Sequence, residues 1–102
     1  MDGFRRSFLI AEERRDSKGI IEEHRAAIDD IDEQIVELLN QRARPAHVIQ
    51  IHKPAEQMAL FDPQREEEVC IHLEDCNEGP LYNEQLRYIY AAILKVMKEL
   101  RV

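Results

Sequence analysis

Three basic residues, Arg25, Arg42 and Lys53, pose the chemical question. They stand in a stretch, 20–53, whose apolar residues otherwise recur at helical spacing. Ile21, Ile28, Ile31, Ile35 and Leu38 follow one another at steps of 7, 3, 4 and 3, a heptad-like stripe, and the next position on that seam is Arg42. A guanidinium where a core residue is due is costly unless an anion meets it. Arg42 and Lys53 are eleven residues apart, three turns with a drift of about 20°, so on a straight helix they share a face. Arg25 lies seventeen residues before Arg42, which turns it by about 100° and displaces it by about 25 Å. One small ligand is not easily gripped by both arginines of the same rod, whereas an antiparallel second copy can bring its Arg25 to the Arg42–Lys53 face. Arg65 and Glu66 open a later helix, whose N-terminal amides also favour an anion. Together these groups describe a pocket for a small, multiply charged acid, with a carboxylate available for a hydroxyl.

Each of these residues also has an ordinary reading. An arginine beside a helix seam most often snorkels or pairs with a carboxylate, and the chain has 21 Asp and Glu to offer. The DPQREEE run around Arg65 reads, on composition alone, as a solvated first turn. Other chemistries lack their residues. His24, His47, His52 and His72 have no metal-ligand spacing, and Cys70-x-His72-x3-Cys76 lacks a fourth ligand, so no metal or cofactor is expected. There is no Gly-rich phosphate loop, nucleophile elbow or HExxH. A net charge of −7 argues against nucleic acid as a partner. Cys70 and Cys76 point to different faces of a helix, so they are expected to be free, buried thiols of a cytoplasmic protein. The N-terminal apolar run is four residues long, too short for a signal-peptide core or a membrane span.

The elements that must position these groups are helical. No alternating pattern is long enough for a sheet, and the fold class is all-α with three helices. Residues 1–18 are charge-rich without a sustained period and form an N-terminal arm, either a short docking helix or a mobile segment. Asp16 and Ser17 are candidate caps, with Gly19 a weak point just ahead of the long helix, and the helical domain is expected over 19–102. Helix 1 runs from about 20 to 53, where Pro54 stops it, a rod of roughly 50 Å. Asp62-Pro63 starts helix 2, over about 63–77, with Val69, Leu73 and Cys76 as its apolar face. Asn77-Glu78-Gly79-Pro80 is a turn. Asn83 is expected to cap helix 3, which carries Leu86, Ile89, Tyr90, Ile93, Met97 and Leu100 on one face. Helices 2 and 3, roughly 22 and 28 Å long, cannot cover both sides of helix 1. The least costly cover for its seam is a second copy across a two-fold axis, a homodimer.

IDDIDEQIVELLNQR, a Lys eleven residues after that Arg, LFDPQREEEV and GPLYNEQLRYIYAAIL together resemble the all-helical (AroQ-type) chorismate mutases, over about residues 20–101. The resemblance implies an intertwined three-helix homodimer that converts chorismate to prephenate by a pericyclic rearrangement, on the way to phenylalanine and tyrosine, without a cofactor. Catalysis in such a site comes from holding the compact diaxial conformer and stabilising charge on the ether oxygen as its C–O bond breaks. By resemblance, Arg25 reaches from the partner chain to one substrate carboxylate and Arg42 binds a carboxylate from within the chain. Lys53 donates to the ether oxygen and a neighbouring carboxylate. Arg65 helps orient helix 2 and the ligand, while Asp62 and Glu66 lie near the ring hydroxyl. The same fold also carries an isochorismate-pyruvate lyase activity, and an inactive mutase-like dimerisation or regulatory module is the third reading.

Three positions depart from the family pattern. Met97 stands where a small polar residue is common. Arg101 stands where the family places Gln or Glu as a second donor to the ether oxygen, a role that an arginine can fill. Pro45 removes the amide hydrogen bond to the Gln41 carbonyl, at a cost of roughly 3 kcal/mol, and is expected to bend helix 1 between Arg42 and Lys53.

Overall fold

The structure, a computed structural model, describes residues 16–53 and 62–100. Three helices make up the described chain, with no strand among the described residues: α1 (Ser17–His52), α2 (Pro63–Cys76) and α3 (Asn83–Lys98). The all-α expectation holds. The first fifteen residues of the expected arm, the 54–61 connection and Arg101 lie outside the described residues. The chain divides into two units, one ending at Asn40 and the other beginning at Gln41.

In the first unit, α1 begins three residues earlier than its apolar pattern. Asp16 is the reason: its Oδ1 accepts the Lys18 N–H at 3.2 Å and its carbonyl accepts the Ile20 N–H at 3.2 Å, satisfying amides that a helix start leaves open. Gly19 therefore lies inside the helix, not ahead of it. Ile21, Ile28, Ile31, Ile35 and Leu38 are 46–60% exposed. A single exposed Ile is ordinary, but a continuous apolar stripe is a surface that calls for a cover.

In the second unit, α1 continues through Pro45 to His52. Lys53 follows the last helical residue, its N–H still bonded to the Ile49 carbonyl at 3.0 Å. Helix α2 starts as Asp62-Pro63 predicts: Asp62 Oδ1 accepts the Arg65 N–H at 3.1 Å, and Pro63 occupies a position whose amide would have had no partner. Between α2 and α3, Asn77 organises the turn. Its Nδ2 donates to the Leu81 carbonyl at 2.9 Å and to Asn83 Oδ1 at 2.8 Å, and its Oδ1 accepts the Gly79 N–H at 2.9 Å. Gly79 has φ +80°, a conformation that side chains rarely adopt, and the Gly79–Pro80 bond is cis.

The expectation that Asn83 caps α3 needs correction. Asn83 is the first helical residue and its side chain is engaged by Asn77, while the cap is Tyr82, in extended backbone, with Gln85 Oε1 accepting its N–H at 3.0 Å. Cys76 is also corrected: both cysteines are free, but Cys70 is half-buried and Cys76 is exposed at the last position of α2. The apolar face of α2 is thus carried by Val69 and Leu73, both half-buried.

Helices α2 and α3 are clamped by one guanidinium. Arg87 donates from Nε and Nη2 to the two carboxylate oxygens of Glu74, both at 2.8 Å, and from Nη1 and Nη2 to those of Glu67, both at 3.0 Å. Such two-pronged pairs match the planar fork of arginine. Hydrogen bonding to Arg87 holds both carboxyls below their ordinary range, and the two carboxylates raise the arginine further. Since the folded-state values are depressed, the contribution to stability is complete above the ordinary carboxylate range and is lost as pH falls through the lowered values. We expect the melting temperature to drop as pH falls below the ordinary carboxylate range, and Arg87→Met to flatten that drop in thermal melts at low salt. An unchanged acid profile in the variant would mean that the clamp does not set the acid stability.

The core of this unit is thin. Met97, 8% exposed, is the one buried residue among those described, with Leu94 and Ile93 half-buried before it. Gln50 of α1 ties into the same place, its Nε2 donating to the carbonyls of Met97 at 2.9 Å and Lys98 at 3.2 Å.

Candidate functional site

A cavity of about 160 Å³ opens where the end of α1, the start of α2 and the end of α3 meet. Its walls from the end of α1 and the residue after it are Ala46, Ile49, Gln50 and Lys53, at steps of 3, 1 and 3, the spacing of one helix face. Arg42 lies four residues before Ala46, one turn further along that stripe. The walls from α2 are Asp62, Arg65 and Glu66, and those from α3 are Leu94, Met97 and Lys98. Four of the residues singled out by sequence, Lys53, Asp62, Arg65 and Glu66, therefore come together around one hole. Two cations, Lys53 and Arg65, stand there with Asp62 and the paired Lys98 and Glu66, beside the amide end of α2, which favours an anion.

The individual groups differ in readiness. Arg42 and Lys53 are both half-buried, and among the described residues neither side chain has a hydrogen-bonding or ion-pair partner. A half-buried cation without a partner among the described residues is unusual in a chain this acidic. Arg65 follows its ordinary reading: its side chain is exposed and pairs with Glu68 at 3.6 Å along the same helix. Asp62 spends one oxygen on the α2 cap. Glu66 is held by Lys98, Nζ to Oε1 at 2.5 Å. Arg25 is exposed on the first unit of α1, and Arg101 lies outside the described residues.

Two residues at this cavity escaped the sequence reading, Gln50 and Lys98. A lysine in the last turn of a helix is ordinary, since it complements the helix dipole, and a polar contact between Gln50 and a backbone 47 residues away leaves no periodic mark. The histidines form no group with the cysteines or acids that could hold a metal ion, among the described residues. His47 Nδ1 is buried without a hydrogen-bond partner. No helix of the described chain is long and apolar enough to cross a membrane.

The chain is similar to three curated proteins, each a bifunctional chorismate mutase/prephenate dehydratase. That of Neisseria gonorrhoeae is 39% identical over 71 residues, that of Stutzerimonas stutzeri 36% over 75, and that of Pseudomonas aeruginosa 33% over 75. These alignments cover 69–70% of this chain but 19–20% of the relatives, so the chain spans about a fifth of the length of the proteins it matches. Residues 24–102 match the family described as chorismate mutase type II, which contains every candidate site residue named above. The chain belongs to the chorismate mutase type II family.

Proposed function

We propose that the chain is a chorismate mutase, an isomerase that rearranges chorismate to prephenate for aromatic amino acid biosynthesis in the cytoplasm. The observation that carries this reading is Lys53, a half-buried cation at the cavity wall with no partner among the described residues, with Arg42 in the same state one turn before the lining residue Ala46 on α1. Chorismate is a dicarboxylate with an ether oxygen and a ring hydroxyl, so it needs cations, one donor and one acceptor at fixed places. Arg42 takes one carboxylate. Lys53 donates to the ether oxygen, where negative charge grows as the C–O bond breaks and the new C–C bond forms. Glu66, with Asp62 beside it, accepts from the hydroxyl, and Arg65 supports the start of α2. Arg101 is the second donor to the ether oxygen. No proton or electron is transferred in this pericyclic step, so the site works by holding the compact conformer and by electrostatics.

The remaining carboxylate is met by Arg25 of a second copy, in an intertwined homodimer. Two features support this. The residues of the Ile21–Leu38 stripe are 46–60% exposed, and a second copy would cover them. The cavity, at about 160 Å³, is also well short of the roughly 300–1,000 Å³ of complete small-molecule sites, as a pocket lacking one wall would be.

The test is purified protein with chorismate, followed by loss of chorismate absorbance and appearance of prephenate. We expect turnover far above the uncatalysed rate. Absence of rearrangement at millimolar chorismate would overturn the reading, and salicylate formed from isochorismate would assign the lyase instead.

A further inference from the structure

We propose that Lys98 is a positioning residue: it sets the carboxylate of Glu66 for the ring hydroxyl of the substrate, and Gln50 holds Lys98 where it can do so. The inference rests on the mutase reading and deepens it. The last carbonyls of a helix have no partner within it, and at the end of α3 two of them, of Met97 and Lys98, accept from Gln50 Nε2 at 2.9 and 3.2 Å. This fixes the end of α3 against α1 at the cavity wall. From that anchored backbone the Lys98 side chain crosses to α2 and meets Glu66 Oε1 at 2.5 Å.

Two features separate this pair from an ordinary surface ion pair. The side chains are only 29% and 23% exposed, so they are less free to separate and less screened than the exposed pairs that contribute little. The pair is also the shared wall of two cavities. Glu66, Leu94 and Lys98 line both the 160 Å³ hole and an adjoining one of about 460 Å³ that runs along α2 and α3 towards Cys70 and Arg87. The ammonium engages Oε1 of Glu66. A carboxylate held in this way only accepts, and a ring hydroxyl is the group that would donate to it. Lys98 thus acts through Glu66, and Gln50 through Lys98.

The experiment compares K98M, E66Q, the E66Q/K98M double variant and K98R with the wild type. The substrates are chorismate and an analogue whose ring hydroxyl is methylated, and folding is monitored by circular dichroism. The hydroxyl takes no part in bond changes, so K98M should lower kcat/KM for chorismate about tenfold, chiefly through KM. K98M should leave the methyl ether within about twofold, should cost nothing further in the E66Q background, and should be largely rescued as K98R. Equal losses on both substrates, an undiminished loss in the E66Q background, or no loss at all would overturn the proposal. So would a K98M protein that fails to fold while the double variant folds, because the pair would then be a stability element. Failure of the mutase reading is seen separately, as a wild type that does not rearrange chorismate.

Discussion

Replacing Lys53 with alanine is expected to lower kcat for chorismate rearrangement by about 10²–10³-fold, the usual cost of losing a preorganised donor to a developing oxyanion. The effect should fall mainly on kcat, because the ether oxygen gains most of its charge only in the transition state. Arg42→Ala should cost a similar factor in kcat/KM, with a larger share in KM, since the substrate carboxylate is charged in the ground state as well. Both variants should keep the wild-type circular dichroism spectrum and oligomeric state. Neither side chain has a protein partner among the described residues, so its removal strands no buried charge. Steady-state kinetics on the purified variants checks both. Full kcat/KM in both would mean that the anion site has been placed on the wrong face of α1.

These two side chains also show how far the sequence could be read. The break in the Ile21–Leu38 stripe at Arg42 is visible in the residue spacing alone, because a helix repeats every 3.6 residues and a misplaced charge stands out against that period. The cap at Asp62-Pro63 and the glycine turn were legible for the same reason: each is decided within four residues. What sequence did not show is what happens across elements. Asn83 has the right chemistry for a cap, yet Asn77 claims its side chain and Tyr82 becomes the cap. Arg87, Glu67 and Glu74 look like any three charges in a chain rich in charge, and only the packing of α2 on α3 makes them a clamp. Lys98 and Gln50 belong to the cavity through contacts spanning 32 and 47 residues, beyond any local pattern. Pro45 lies inside α1, which is helical to His52. The proline removes a single amide donor, to the Gln41 carbonyl.

The proposed site is built by two chains together, with Arg42 and Lys53 from one and Arg25 from the other. Mixing two inactive variants tests it most directly. Arg25→Ala and Arg42→Ala proteins, each nearly inactive alone, are unfolded together, refolded and assayed with chorismate. In a mixed dimer, the site that takes Arg42 from the first variant and Arg25 from the second is intact, while the other site lacks both. Random pairing puts about half of the dimers in the mixed state with one working site of two, so about a quarter of wild-type activity should return. A refolded mixture that contains mixed dimers and stays as inactive as its components would contradict the shared site.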